Sequence, residues 1–145
     1  MAYYGTVDGG DLYHSLRLHN GAWTTASDND KVKALTMATT LIDNLAYEYD
    51  KTVSTQELEF PRGTDTSVPE AIEKATYELA LTLLDNDPAE HDPRITTAKL
   101  GAASVSYDTS FVPQYVSAGI PSKAAWAFLK PYLRDNMSIS LERIN

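Results

Sequence analysis

The sequence predicts a mainly α protein: a small helical bundle with a short β-strand or hairpin inserted before the last helix, and an extended C-terminal tail. Three observations predict it. Leu35, Ala38, Ile42, Leu45 and Tyr49 recur at alternating steps of three and four, the period of one helical face. Ile72, Ala75, Leu79 and Leu83 repeat the pattern after Pro69, with Ala71, Ala80 and Leu84 widening the stripe. Between residues 103 and 111, Ala103, Val105, Tyr107, Thr109 and Phe111 alternate with Ser104, Ser106, Asp108 and Ser110, as in a strand with one dry and one wet face.

The elements follow in order. A first short amphipathic helix spans Val7 to His19, with Leu12, Leu16 and His19 on its apolar face, Asp8 or Asp11 as cap, and Asn20-Gly21 ending it. Trp23 then reads as a core or interface anchor. Ser27, Asp28 or Asp30 caps the second helix, expected from Asp28 to Tyr49, where Ala34, Met37 and Leu41 add a second stripe. The stretch after Tyr49 has no helical period and forms an extended loop. Pro61 pushes Phe60 out of the α region, whereas Pro69 suits a first helical turn. Ser67 caps that next helix, with Glu70 completing a capping box, and the helix ends near Asp85. Pro121 or Ser122 starts the last helix; its face is Ala125, Phe128, Leu129 and Tyr132, and Pro131 kinks or stops it. Residues 1–133 thus make one domain with a β insertion near 95–112, and residues 134–145 a tail.

Composition narrows the function. At 145 residues one core is expected. There is no cysteine, so disulfides and thiolate metal sites are excluded. The first fifteen residues lack the basic-then-apolar pattern of a secretion signal, and no run is long and apolar enough to span a membrane. A soluble, cytoplasmic chain is expected. The formal net charge of −8 argues against binding nucleic acid through phosphate neutralisation.

Catalytic and metal patterns are absent. His14 and His19 are five apart and do not share a helical face, so both read as solvated or locally bonded histidines. The acids Asp85, Asp87, Glu90 and Asp92 have no calcium-loop spacing, and no phosphate loop or nucleophile elbow occurs. The sequence predicts no enzyme and no cofactor. Arg62 is the charge of most interest: its planar fork either braces the Phe60-Pro61-Arg62 loop against carbonyls or a carboxylate, or sits exposed in the loop.

Several features recur together: Lys33-Ala34-Leu35, Ala38-Thr39, Ile42-Asp43, Tyr49, Gln56, Phe60-Pro61-Arg62, Val68-Pro69, Ala75, Glu78-Leu79-Ala80, and Gly101 with Ser104-Val105-Ser106-Tyr107. In this order they resemble the small head–tail connector, or adaptor, proteins of tailed bacteriophages. That group includes sequences labelled DnaT-like single-stranded DNA-binding proteins. The resemblance implies a virion protein at the head–tail interface, assembled in the host cytoplasm into a ring, usually of twelve copies. The ring docks on the portal protein and offers a platform to a tail or nozzle protein, while DNA passes through its lumen without specific binding. It further implies that Ser138, Ile139, Leu141 and Ile144 in the tail reach the portal, and that Val105, Tyr107 and Phe111 make the β-element contacts. Phe60, Pro61 and Arg62 would brace the loop, and Leu79 and Leu83 pack against the next subunit. The label implies an alternative, a single-stranded DNA-binding replication module.

Overall fold

The computed structural model describes residues 2–85 and 114–134. The β insertion, the tail, and with them Val105, Tyr107, Phe111, Ser138, Ile139, Leu141 and Ile144, lie outside the described residues. Within them the chain is a small helical bundle: α1 (Val7–Ser15), α2 (Gly21–Thr24), α3 (Asp28–Asp43), α4 (Glu70–Asp85), α5 (Gln114–Ser117) and α6 (Lys123–Leu129), the last running into a 3₁₀ turn at Lys130–Tyr132. Two isolated antiparallel bridges, Tyr47 with Leu133 and Lys51 with Arg62, are the β pairing among the described residues.

The α4 helix is the centre. Its Ile72, Ala75, Leu79 and Ala80 are fully buried, and Tyr77, Glu78 and Leu81 nearly so. It packs against α3 on one side and α6 on another, with α1 and α2 closing the remainder. Pro69, rather than Ser67, stands immediately ahead of its first residue, and the Pro69 carbonyl accepts from Ile72 N and Glu73 N. The helix is described through Asp85, the last described residue of this segment. Its broad apolar surface is covered by its own chain. Leu79 has no exposed surface to offer a neighbouring subunit, and Leu83 is half-buried against the same core.

The α3 helix is shorter than expected. Ser27 caps it, accepting from Asp30 N, and it stops at Asp43. Leu35, Ala38 and Ile42 are fully buried, but Tyr49 lies six residues past the end, on the surface, with a left-handed φ of 65°. What ends the helix is tertiary pull: the Tyr47 hydroxyl folds back to donate to Ile42 O, and Glu48 N is taken by Tyr132 O. At the other end of the chain, Ser122 caps α6 by accepting from Ala125 N, and Ala125, Trp126 and Leu129 face the core.

The first helix turns out the opposite way to its expected face. Thr6, not Asp8 or Asp11, caps it. Gly10 and His14 face inward, while Leu12 is 69 % and Leu16 86 % exposed. Glycine permits this orientation. A Cβ on Gly10 would stand 2.4 Å from Trp23 Cζ2, so only a bare backbone lets α1 lie on the indole. The left-handed residue after α1 is His19, φ 56°, and Gly21 opens the unpredicted α2 that seats Trp23.

Gly10→Ala should therefore cost about 1–3 kcal/mol, the usual penalty for overfilling a packed core. Gly21→Ala, where an added Cβ meets nothing within 4 Å, should leave stability within about 1 kcal/mol of wild type or raise it. Urea unfolding of the two variants checks the contrast.

Candidate functional site

Two surfaces are built with more polar machinery than packing alone demands. The first is the seat of α1 on α4. Glu78 comes from the middle of α4, with its side chain only 5 % exposed. Its carboxylate accepts from Tyr13 Oη at 2.6 Å and from Arg17 Nε at 2.8 and 3.0 Å. The Glu78 hydrogen bond raises the Arg17 pKa, while burial and then Glu78 push the Tyr13 phenol well above its usual range. The Arg17 Nη1 also donates to Leu18 O and His19 O, fixing the turn that leaves Leu18 81 % exposed. Asp11 accepts from Trp23 Nε1 and Lys31 Nζ, at 2.8 and 2.9 Å, and Lys31 hangs over the indole. The outcome is a helix held rigidly by its polar side, with Leu12, Leu16 and Leu18 turned to the surface. A groove of about 670 Å³ runs beside Leu12 and Leu16, floored by Gly9 and Tyr77 and edged by Glu73 and Lys74.

His14 sits beneath this seat, fully buried against the ring of Trp23 and bonded to distant Tyr77, a correction to the solvated or locally bonded histidine expected from sequence. Its Nε2 stands 3.0 Å from Tyr77 O, which can only accept, so Nε2 carries a proton. Among the described residues, Nδ1 has no hydrogen-bond partner. Burial lowers the His14 pKa below its ordinary 6.5.

The second surface is the Phe60-Pro61-Arg62 loop. Phe60 is buried, with Tyr4, Tyr47 and Tyr132 packed around its ring at edge-on angles. The Phe60–Pro61 peptide is cis. The Tyr4 hydroxyl donates to Asp43 and accepts from Phe60 N, which ties the N-terminal segment to both α3 and the loop. Burial, more than any neighbour, raises the Asp43 pKa. Arg62 is the brace rather than an exposed loop residue: its side chain is 10 % exposed. Nε donates to Glu48 O at 3.0 Å, Nη2 to Tyr49 O, and Nη1 to Glu59 O and Oε1. Its guanidinium also lies 5.8 Å from the centre of the Tyr47 ring. Above this brace opens a groove of about 320 Å³, bounded by Tyr49, Gly63, Asp65, Pro131, Tyr132 and Glu48. Sequence reasoning reached Arg62 but missed Tyr49 as a surface aromatic, because the helical period ran on through it.

Charge is distributed unevenly. Arg17, Lys31, Lys33, Lys51, Arg62 and Lys74 each form an ion pair. The remaining described basic residues are Lys123 and Lys130 in the last helical segment and Arg134 just past it. Among the described residues no cluster of His, Cys, Asp and Glu is arranged to hold a metal, and no helix is long and apolar enough to cross a membrane.

Arg62→Lys should lower stability by about 1–3 kcal/mol, because an ammonium cannot serve three carbonyls and a carboxylate that a planar fork reaches together. Denaturant midpoints report it. For His14 the sign follows from its depressed pKa. Stability is fully present above the unfolded value near 6.5 and is lost as pH falls through the lower folded value, since the unfolded ring takes up the proton first. The urea midpoint should therefore drop between about pH 7.5 and pH 5.5. His14→Gln, which can still donate to Tyr77 O, should drop less.

The family described as "Putative DnaT-like ssDNA binding protein" matches residues 3–144 of the chain. No curated protein and no solved structure matches it. The match spans nearly the whole sequence, both surfaces included, and the chain belongs to that family.

Proposed function

We propose that this chain is a structural assembly subunit, one that packs against copies of itself in a ring of the phage head–tail connector type. The observation that carries the reading is the ridge of Leu12, Leu16 and Leu18. Three large apolar side chains within seven residues stay on the surface although the polar clamp beneath them fixes the helix in place. Contiguous apolar surface of this kind marks contact with other proteins. The ridge is a second surface beside the α4 face that the sequence offered for subunit packing, of which Leu79 is buried within the single chain and Leu83 half-buried. In the ring, the portal protein and a tail or nozzle protein would be the partners on either side, and the location would be the virion. The acidic balance and the ion-paired lysines and arginines suit a channel wall past which DNA slides.

The family description favours a second reading, single-stranded DNA binding. Lys130 and Arg134, which flank the groove residues Pro131 and Tyr132 in sequence, would be its footing, with aromatic rings stacking bases and cations meeting phosphates. The two readings separate in one set of measurements. Light scattering after size exclusion, with electron microscopy alone and with the portal, should show rings. Leu16→Glu should abolish them while changing monomer stability by no more than about 0.5 kcal/mol. Oligothymidylate should not be retained at low salt. A monomer that stays monomeric with portal present, yet binds the oligonucleotide with an affinity falling linearly in log salt, would replace the first reading with the second.

A further inference from the structure

The groove over Arg62 has a chemistry of its own. One wall is Tyr49, 74 % exposed and set in a left-handed backbone that a bulky residue adopts only when its surroundings hold it there. The surroundings are named: Arg62 Nη2 grips Tyr49 O, Gly63 N donates to Asp50 O at 2.8 Å, and the tyrosine side chain lies beside Gly63, whose left-handed φ of 64° suits glycine. The opposite wall is Pro131 and Tyr132. Two carboxylates, Glu48 and Asp65, line the same space, and neither forms an ion pair among the described residues. The cation in the lining, Arg62, is already neutralised by Glu59 at 3.1 Å and lies largely buried. The groove lining therefore presents aromatic faces together with two carboxylates that form no ion pair among the described residues.

We infer that this groove receives an arginine side chain from an extended segment of a partner protein. A guanidinium is planar, stacks on a tyrosine face and pairs with carboxylates through its fork, which is the combination the walls offer. A lysine would find the carboxylates but gain less from the rings. A single-stranded nucleic acid could use the rings, but its phosphates would meet Glu48 and Asp65. The inference is independent of ring assembly, since it concerns a different surface from the leucine ridge.

The test is a titration of the ¹⁵N-labelled full chain with a blocked Pro-Arg-Pro peptide, with the same peptide carrying citrulline for arginine, and with oligothymidylate. Saturable amide shifts confined to Glu48, Tyr49, Gly63 and Asp65 are expected from the arginine peptide, and none from citrulline, which keeps the shape and loses the charge. Glu48→Gln with Asp65→Asn should weaken the peptide about tenfold, in the range of a lost cation–carboxylate and cation–π pairing. Tyr49→Gly, which suits the left-handed backbone and so leaves the loop folded, should weaken it as much. Equal binding of the citrulline peptide, indifference to Tyr49→Gly, or the same shifts from oligothymidylate and not from the peptide would each overturn the inference.

Discussion

The buried carboxylate of Glu78 governs how the first part of the chain is laid down. A charge in the middle of a central helix is tolerated only if donors meet it, and here Arg17 and Tyr13 supply them from the far end of α1. Meeting Glu78 with those two residues sets the rotation of α1 about its own axis. Gly10 then lies on Trp23, His14 beneath Tyr77 O, and the leucines point away. The apolar ridge is thus a by-product of satisfying a buried charge. Apolar-face arithmetic on α1 alone points the other way, because it gives leucine priority over glycine and histidine for the interior.

A second polar centre organises the irregular stretch between α3 and α4. That stretch cannot draw on a helical ladder, so its backbone carbonyls need other donors. Arg62 serves Glu48, Tyr49 and Glu59, Gln56 serves Leu58 and Pro61, and the Tyr4 hydroxyl links Asp43 to Phe60 N. Side chains acting as backbone partners make the loop a defined wall, and the groove beside it inherits that definition.

The bundle was legible where packing is periodic. The α4 helix, caps at Ser27 and Ser122 that each came from a set of expected candidates, and the buried faces of Ala38, Ile42 and Ala125 follow from spacing and local hydrogen-bond chemistry. What sequence could not reveal depends on residues distant in the chain. The α3 helix ends at Asp43 because Tyr132 takes the Glu48 amide, a partner some eighty residues downstream. The α4 helix looked like a subunit interface because its apolar surface exceeds what one neighbour could cover. Four helices of the same chain share that task. Tyr49 was read as helical because the apolar period of α3 runs on through it, and its place on the groove is visible only once Gly63 and Arg62 are beside it. Arg62 stands between these cases. Its neighbours in sequence signalled a brace, but the carbonyls it grips could be named only from the fold.

The short pairing of residues 46–48 with 132–134, in which Glu48 N meets Tyr132 O and Arg134 N meets Ala46 O, has a structural consequence. Polypeptide leaving Arg134 departs from a clasp whose other strand leads straight into Tyr49. Tyr132 therefore serves two structures at once: its carbonyl closes the clasp on Glu48 N, and the residue lines the groove.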